Sequence, residues 1–275
     1  MQKPVATLVL NRNLGGVTDR LVEHLQKFDG DICDIIVIES GSEEDKRSKY
    51  PGYQACWKEA MENGLRYGRG FNFGLASLLE NGKYENYEYF FLVWNNSVFF
   101  DEPTTGILLE QLVSHPKMGI ISPCDAAWGE YRLIPENESR VFWYGTHVAW
   151  LMRRSFIDTI REFKNPGPMN FLYDGTNFRG YYSDVELIGK AYVNDFAYAV
   201  TRKTCFKEIR NYKEKYQDLM RTETTEVNQD KMYQEGMAWL RRKYGFQSHW
   251  NMLQYVKAFY DIFLSNNPGY SDYKI

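Results

Sequence analysis

Four short stretches of this chain combine residue types and spacings that could do chemistry. Residues 35–38 form a buried-strand run, Ile35-Ile36-Val37-Ile38, that empties into Glu39-Ser40-Gly41-Ser42. An acid leaving a strand into a small-residue turn can accept the imide N–H of a uracil or thymine, or a ribose hydroxyl; the other reading is a solvated turn acid. Gly68-Arg69-Gly70-Phe71-Asn72-Phe73-Gly74 stands ahead of a helical pattern at residues 73–79. Its glycines would admit a ligand close to the backbone, Asn72 could cap the helix or bond a base or ribose, and Arg66 or Arg69 could meet phosphate; a plain turn is the alternative. Residues 87–94 read as a strand running into Asn95-Asn96-Ser97, where the third position is a hydroxyl and not the carboxylate that a hard divalent cation needs beside phosphate. Ser183-Asp184-Val185-Glu186-Leu187 opens a helix with Leu187, Ile188 and Ala191 on one face, so Ser183 or Asp184 is placed to cap it.

The elements that must hold these stretches alternate in type through the first half. Residues 5–10 are a continuous apolar run, as in a strand buried on both faces, and Val17, Leu21, Val22, Leu25 and Phe28 follow at helical spacing after Gly15-Gly16. Strand patterns at 34–38, 89–94 and 118–122 alternate with helical ones at 73–79 and 106–113. The expected fold is α/β: a mostly parallel sheet flanked by helices, with ligands beyond the carboxyl ends of its strands. Further on, residues 142–144 and 147–152 are aromatic strand candidates, 155–163 a helix, and 184–193 another. The intervening stretch, residues 165–182, is rich in glycine, proline and aromatics, and is long enough to serve as a binding wall. From residue 206 to 264 the chain is charged and helical.

The 275 residues, 44% hydrophobic, can bury one large core. A net charge of -3 without a long basic block argues against nucleic acid as a partner. Cys33, Cys56, Cys124 and Cys205 are widely spaced, which indicates neither a zinc site nor a disulfide framework and fits a reduced cytoplasmic compartment. No apolar run approaches the roughly 20 residues that span a bilayer. Aromatic residues reach 16%, and rings with polar edges suit sugars; those in residues 171–182 are expected to include the ones that touch a glycan.

Taken in order, the strand ending Leu10-Asn11-Arg12, the Glu39-Ser40-Gly41-Ser42 turn, the GxGxNxG run and Asn95-Asn96-Ser97 resemble the inverting family 2 glycosyltransferases of the GT-A fold, especially the rhamnosyltransferase-like branch, across about residues 4–200. The resemblance implies a Rossmann-like GT-A domain over 1–205, with a nucleotide-sugar half at about 1–123 and an acceptor half at 124–205, and a helical C-terminal appendage over 206–275. It implies that Leu10, Asn11 and Arg12 border the base, that Glu39 with Ser40 and Gly41 binds base or ribose, that Arg69, Gly70 and Asn72 assist, and that Asn95, Asn96 and Ser97 face the diphosphate. Gly145-Thr146 and 151–155 match the family's acceptor-side strand, and Asp184 inherits the role of general base, although Ser183 replaces the first acid of the family's pair.

Two departures concern metal: Ser97 in place of an acid, and Val200-Thr201-Arg202-Lys203-Thr204-Cys205 without the family's histidine. They favour a site that requires no metal, with Mn or Mg admitted, and let Arg202, Lys203, Arg12 or Arg69 neutralise the diphosphate. The expected activity is transfer of a hexosyl or deoxyhexosyl group from a UDP- or dTDP-sugar to a glycan or glycolipid hydroxyl in polysaccharide biosynthesis. A catalytically silent nucleotide-sugar or glycan-binding module and a sugar-1-phosphate nucleotidyltransferase are the alternatives. A cytoplasmic location, peripheral contact with the inner face of a membrane and a homodimer are compatible with this reading.

Overall fold

The computed structural model describes residues 2–50, 52–162 and 164–275. Strand β1 (Val5–Asn11), helix α1 (Gly15–Asp29) and strand β2 (Cys33–Glu39) form the first β-α-β unit. Then come β3 (Gly52–Gln54), α2 (Lys58–Asn63), α3 (Arg66–Glu80), β4 (Tyr89–Trp94), β5 (Ser97–Phe99) and α4 (Thr104–Ser114). The middle of the chain holds β6 (Met118–Asp125), α5 (Glu130–Leu133), β7 (Ser139–Val141), β8 (Ala149–Arg153) and α6 (Arg154–Ile160). Helix α7 (Ser183–Val193) and the long strand β9 (Ala197–Glu208) precede α8 (Tyr212–Met220), α9 (Thr225–Tyr244) and α10 (His249–Asn266).

The described residues form one nine-stranded sheet, ordered β3-β2-β1-β4-β8-β6-β9-β5, with β7 paired to β9. The β3-β2-β1-β4 half is parallel, as is β6-β9; β8, β5 and β7 run antiparallel to their neighbours. The parallel half reads as continuous apolar sequence because it is covered on both faces: Val5, Ala6, Leu8 and Val9 of β1 and Phe90 to Val93 of β4 have no exposed surface. Register decides what meets at the open edge. Asn11 lies opposite Glu39, and Leu10 opposite Trp94, so the carboxyl ends of β1, β2 and β4 align. Strand β8 starts at that edge opposite Val93, and β6 and β9 finish there with Asp125 and Glu208.

Several elements differ from the sequence expectation. The GxGxNxG run does not precede its helix but lies inside it, because α3 begins at Arg66. Its glycines serve close packing: a Cβ on Gly70 would stand 2.7 Å from Leu10 Cδ2, and one on Gly74 would stand 2.8 Å from Ile38 Cδ1. Residues 142–144 are not a strand; the pairing is made by Ser139–Val141, after which only Phe142 N–H still donates to Tyr198 O, at 3.1 Å. The helix expected at 155–163 is observed as Arg154–Ile160, and Phe163 lies outside the described residues. The sheet also continues past residue 205, since β9 pairs with β5 through Glu208 before the helices start.

No helix among the described residues is long and apolar enough to cross a membrane. The last helix packs on α7, where the missing side chain of Gly189 leaves a Cβ position 3.0 Å from Val256 Cγ2.

Candidate active site

A cleft of about 1180 Å³ opens over the aligned strand ends. Of the residues singled out in the sequence, Leu10, Asn11, Arg12, Ser40, Asn95, Asn96 and Asp184 line it. Glu39, Gly41, Arg69, Gly70, Asn72 and Ser97 do not stand on its wall, and the structure gives most of them other work. Asn72 clamps residues 168–173: its Oδ1 accepts from Leu172 and Tyr173 N–H, both at 2.9 Å, and its Nδ2 donates to Tyr173 O at 2.8 Å. Arg69 donates to Gly175 O at 2.8 Å and pairs with Glu59 at 2.7 Å, while its guanidinium lies over the Phe178 ring. Gly41, at φ +74, is pressed against the Ala60 carbonyl. Arg202 sits over the Tyr131 ring and donates to Ile134 O at 2.7 Å, also away from the cleft wall.

One polar chain ties the nucleotide-side candidates together. Glu39 Oε2 accepts from Asn11 Nδ2 at 2.8 Å, and its Oε1 accepts from Ser48 N–H at 2.9 Å. Asn11 Oδ1 accepts from Thr18 Oγ1 at 3.0 Å, and Asn95 Nδ2 donates to Thr18 Oγ1 at 3.0 Å. The chain ends where Tyr212 OH donates to Asn95 Oδ1 at 2.6 Å. Glu39 therefore stands behind Asn11 and orients it.

Helix α8 crosses this end of the cleft with no buried residue of its own. Besides Tyr212, it is held by Arg12 Nε donating to Met220 O at 2.6 Å and Asn13 Nδ2 donating to Leu219 O at 2.8 Å. Residues at both its ends, Asn211 and Arg221, have left-handed φ values of 52° and 51°. Arg12 gives three more of its N–H groups to the carbonyls of Ser40, Ala60 and Glu62. Burial, with Arg66 and Arg221 nearby, lowers it to about 10. Arg66 and Arg179 also line the cleft, and both pair with Glu223.

Asp184 stands at the other end, in the first turn of α7. Its Oδ1 accepts from Val185 N–H at 2.8 Å, and the backbone N–H of His147 also faces it. Enclosure by protein raises the carboxyl to about 6 against the pull of those N–H groups. His147 is not a competing base: burial pushes its imidazole down to about 3, and its Nδ1 is paired with Tyr173 OH at 2.8 Å. Glu186, itself buried, turns away from the cleft toward the partly exposed Lys243, 2.7 Å away, and Tyr244.

Of the aromatic stretch 171–182, Phe171 and Tyr173 are core residues and only its end, Arg179 to Tyr182, reaches the cleft. Aromatic wall residues that the sequence reading did not single out for the cleft come from elsewhere: Tyr67, Trp94, Trp128 and Tyr144. Glu208 was also missed. It lies opposite Ser97 across the β5-β9 ladder and accepts from Asn96 Nδ2 at 2.6 Å. Burial and the charge of Asp125 raise its carboxyl above the usual range.

The donor set bears on metal. Asn96 Oδ1 is buried with no partner among the described residues, and Glu208 is the carboxylate beside it. No group of three or more His, Cys, Asp or Glu among the described residues could hold an ion. One amide oxygen and one carboxylate are too few to hold a cation on their own; a cation there would need the phosphate oxygens of a bound donor as well.

No family model matches the chain, and no curated protein matches it in sequence. Solved structures do match it in shape. It is similar to the mannosyltransferase PcManGT from Pyrobaculum calidifontis in complex with GDP-Man and Mn2+, with a TM-score of 0.52 at 10% identity over 97% of this chain and 88% of that one. The fold is a glycosyltransferase fold. S. aureus TarS 1-349 in complex with UDP gives a TM-score of 0.50 at 13% identity over 88% of this chain and 72% of that one. The same protein in complex with UDP-GlcNAc gives 0.50 at 13% identity, over 87% and 74%. This likeness bears out the expected GT-A, Rossmann-like sheet with helices at its C-terminal end.

Proposed function

We propose that this chain is an inverting glycosyltransferase of the family 2, rhamnosyltransferase-like kind. It would move a hexosyl or deoxyhexosyl group from a UDP- or dTDP-sugar to a hydroxyl of a glycan or glycolipid acceptor in polysaccharide biosynthesis. The observation that carries this reading is the position and basicity of Asp184: a carboxyl raised to about 6, on the wall of the cleft that Leu10, Asn11, Arg12, Asn95 and Asn96 also line. Such a group is ionised at neutral pH yet basic enough to take a proton from an alcohol as it attacks. The fold neighbours add support, since TarS is seen with UDP and UDP-GlcNAc and PcManGT with GDP-Man.

In this mechanism the acceptor oxygen bonds to the anomeric carbon as its proton passes to Asp184. The bond from that carbon to the diphosphate oxygen breaks, and the electron pair leaves with the diphosphate. A single displacement inverts the anomeric centre. Lys213 lines the cleft with Arg12, and with Arg66 and Arg179, which share the charge of Glu223; together they would supply positive charge for the departing group in place of a metal. Glu39 acts through Asn11 on the base or ribose. Residues 1–205 would provide the donor and acceptor halves, divided near 123, and residues 206–275 an appendage that closes one wall. Titration with nucleoside diphosphates tests the donor half: pyrimidine nucleotides are expected to bind, and Glu39→Ala to weaken them by about 1–3 kcal/mol. Equal affinity for purine nucleotides, or no effect of the substitution, would count against the donor assignment.

A further inference from the structure

The cleft does not end at Asp184. Its wall at Tyr181 and Tyr182 continues outward as a run of rings onto the C-terminal helices. Tyr181 and Tyr182 lie 4.6 Å apart, Tyr181 meets Tyr233 of α9 at 5.6 Å, Tyr182 meets His249 of α10 at 5.6 Å, and His249 meets Trp250 at 4.8 Å. At the outer end Trp250 is 62% exposed and Tyr233 50% exposed.

Three features hold this run in place. Tyr182 sits at φ +63, a left-handed conformation that is uncommon for a bulky residue and is held here at the entry to α7. Gly236 makes room for Tyr181, because a Cβ there would stand 2.3 Å from the tyrosine Cβ. A capping box between Ser248 and Asn251 fixes the first turn of α10, which carries His249 and Trp250. Rings from three separated segments are thus brought together at the mouth of the cleft.

We propose that Tyr181, Tyr182, Tyr233, His249 and Trp250 form a ledge that binds an extended carbohydrate chain, so that the acceptor is an oligosaccharide and not a single sugar. This deepens the reading of Asp184 as the acceptor's base and rests on it for the identity of the ligand. The ring chemistry selects a sugar: faces take the C–H surface of a pyranose, while hydroxyl, imidazole and indole edges meet its hydroxyls. An anionic lipid surface is disfavoured by charge, since Glu226 and Asp230 share the helix face of Tyr233.

The test is binding of the full chain to an array of glycans graded from mono- to hexasaccharides, with Trp250→Ala and Tyr233→Ala beside the wild type. Oligosaccharides are expected to bind where their monosaccharides do not, and each substitution to weaken them about 3- to 10-fold, the range of an exposed stacking contact. Nucleoside diphosphate affinity is measured in parallel and is expected to stay unchanged. Absence of glycan binding, indifference to chain length or to both substitutions, or Trp250-dependent binding to glycan-free phosphatidylglycerol vesicles would overturn the ledge. Chain-length-dependent glycan binding with no nucleotide binding would uphold the ledge and sink the transferase reading instead; the reverse pattern would sink the ledge alone.

Discussion

Replacing Asp184 by Asn removes a charge that the fold holds at a cost, so the variant is expected to gain stability as it loses activity. The carboxyl rises from 3.8 to about 6 on folding, because enclosure disfavours its charged form. The native state therefore holds this proton more tightly than the unfolded chain does. Stability from this group is intact below pH 4, falls as pH rises through about 6, and is fully lost above it. At about 1.4 kcal/mol per pH unit, the ionised group costs up to about 3 kcal/mol at neutral and alkaline pH. Asn carries no such charge, and its carbonyl can still accept from Val185 N–H. Urea unfolding should show Asp184→Asn more stable than wild type by up to about 3 kcal/mol at about pH 8, with the difference gone near pH 4. Turnover should fall by about 10²- to 10⁴-fold, the usual contribution of a general base. A variant that is less stable than wild type at pH 8, or that keeps near-normal turnover, would refute the reasoning.

Glu186→Gln should behave in the opposite way: it removes the buried carboxylate's contact with the partly exposed Lys243, so about 1–2 kcal/mol of stability should go while nucleotide affinity stays. Full stability with abolished turnover would move the base from Asp184 to Glu186. Tyr212→Phe removes the hydroxyl that anchors α8 to Asn95, and amide exchange should accelerate across residues 211–221 with β1 unchanged. Exchange identical to wild type would show that this contact does not hold the helix. Chelation with EDTA should leave most turnover in place; complete loss restored by manganese would contradict metal independence and leave the transfer reaction standing.

Much of the parallel half of the sheet was legible in the sequence, because strands buried on both faces write themselves as apolar runs: Val5–Asn11, Cys33–Glu39 and Tyr89–Trp94 lie within a residue of where the pattern put them. The helix start at Ser183 and Asp184 was legible for a similar local reason. The glycine run misled, since glycine spacing looks the same whether it admits a ligand or a neighbouring strand, and only the contacts of Gly70 and Gly74 with Leu10 and Ile38 decide it. The helical character of the C-terminal region was readable, but its return across the cleft was not. The bond from Arg12 to Met220 spans 208 positions, and the short stripe of α8, Tyr212, Tyr216, Leu219 and Met220, marks a face without saying which distant strand ends it covers. Glu208 escaped notice because its meaning lies in the antiparallel register that sets it against Ser97.

The central claim is sugar transfer with inversion, and proton NMR of the reaction tests it most directly. The full chain is incubated with α-linked UDP- and dTDP-sugars and the oligosaccharides it binds, and the products are followed as they form. The account predicts release of nucleoside diphosphate and a new glycosidic bond of β configuration, both suppressed by Asp184→Asn. A product that retains the donor's configuration, or donor that gives no glycosidic bond but is converted to nucleoside triphosphate and sugar-1-phosphate when pyrophosphate is added, would contradict it.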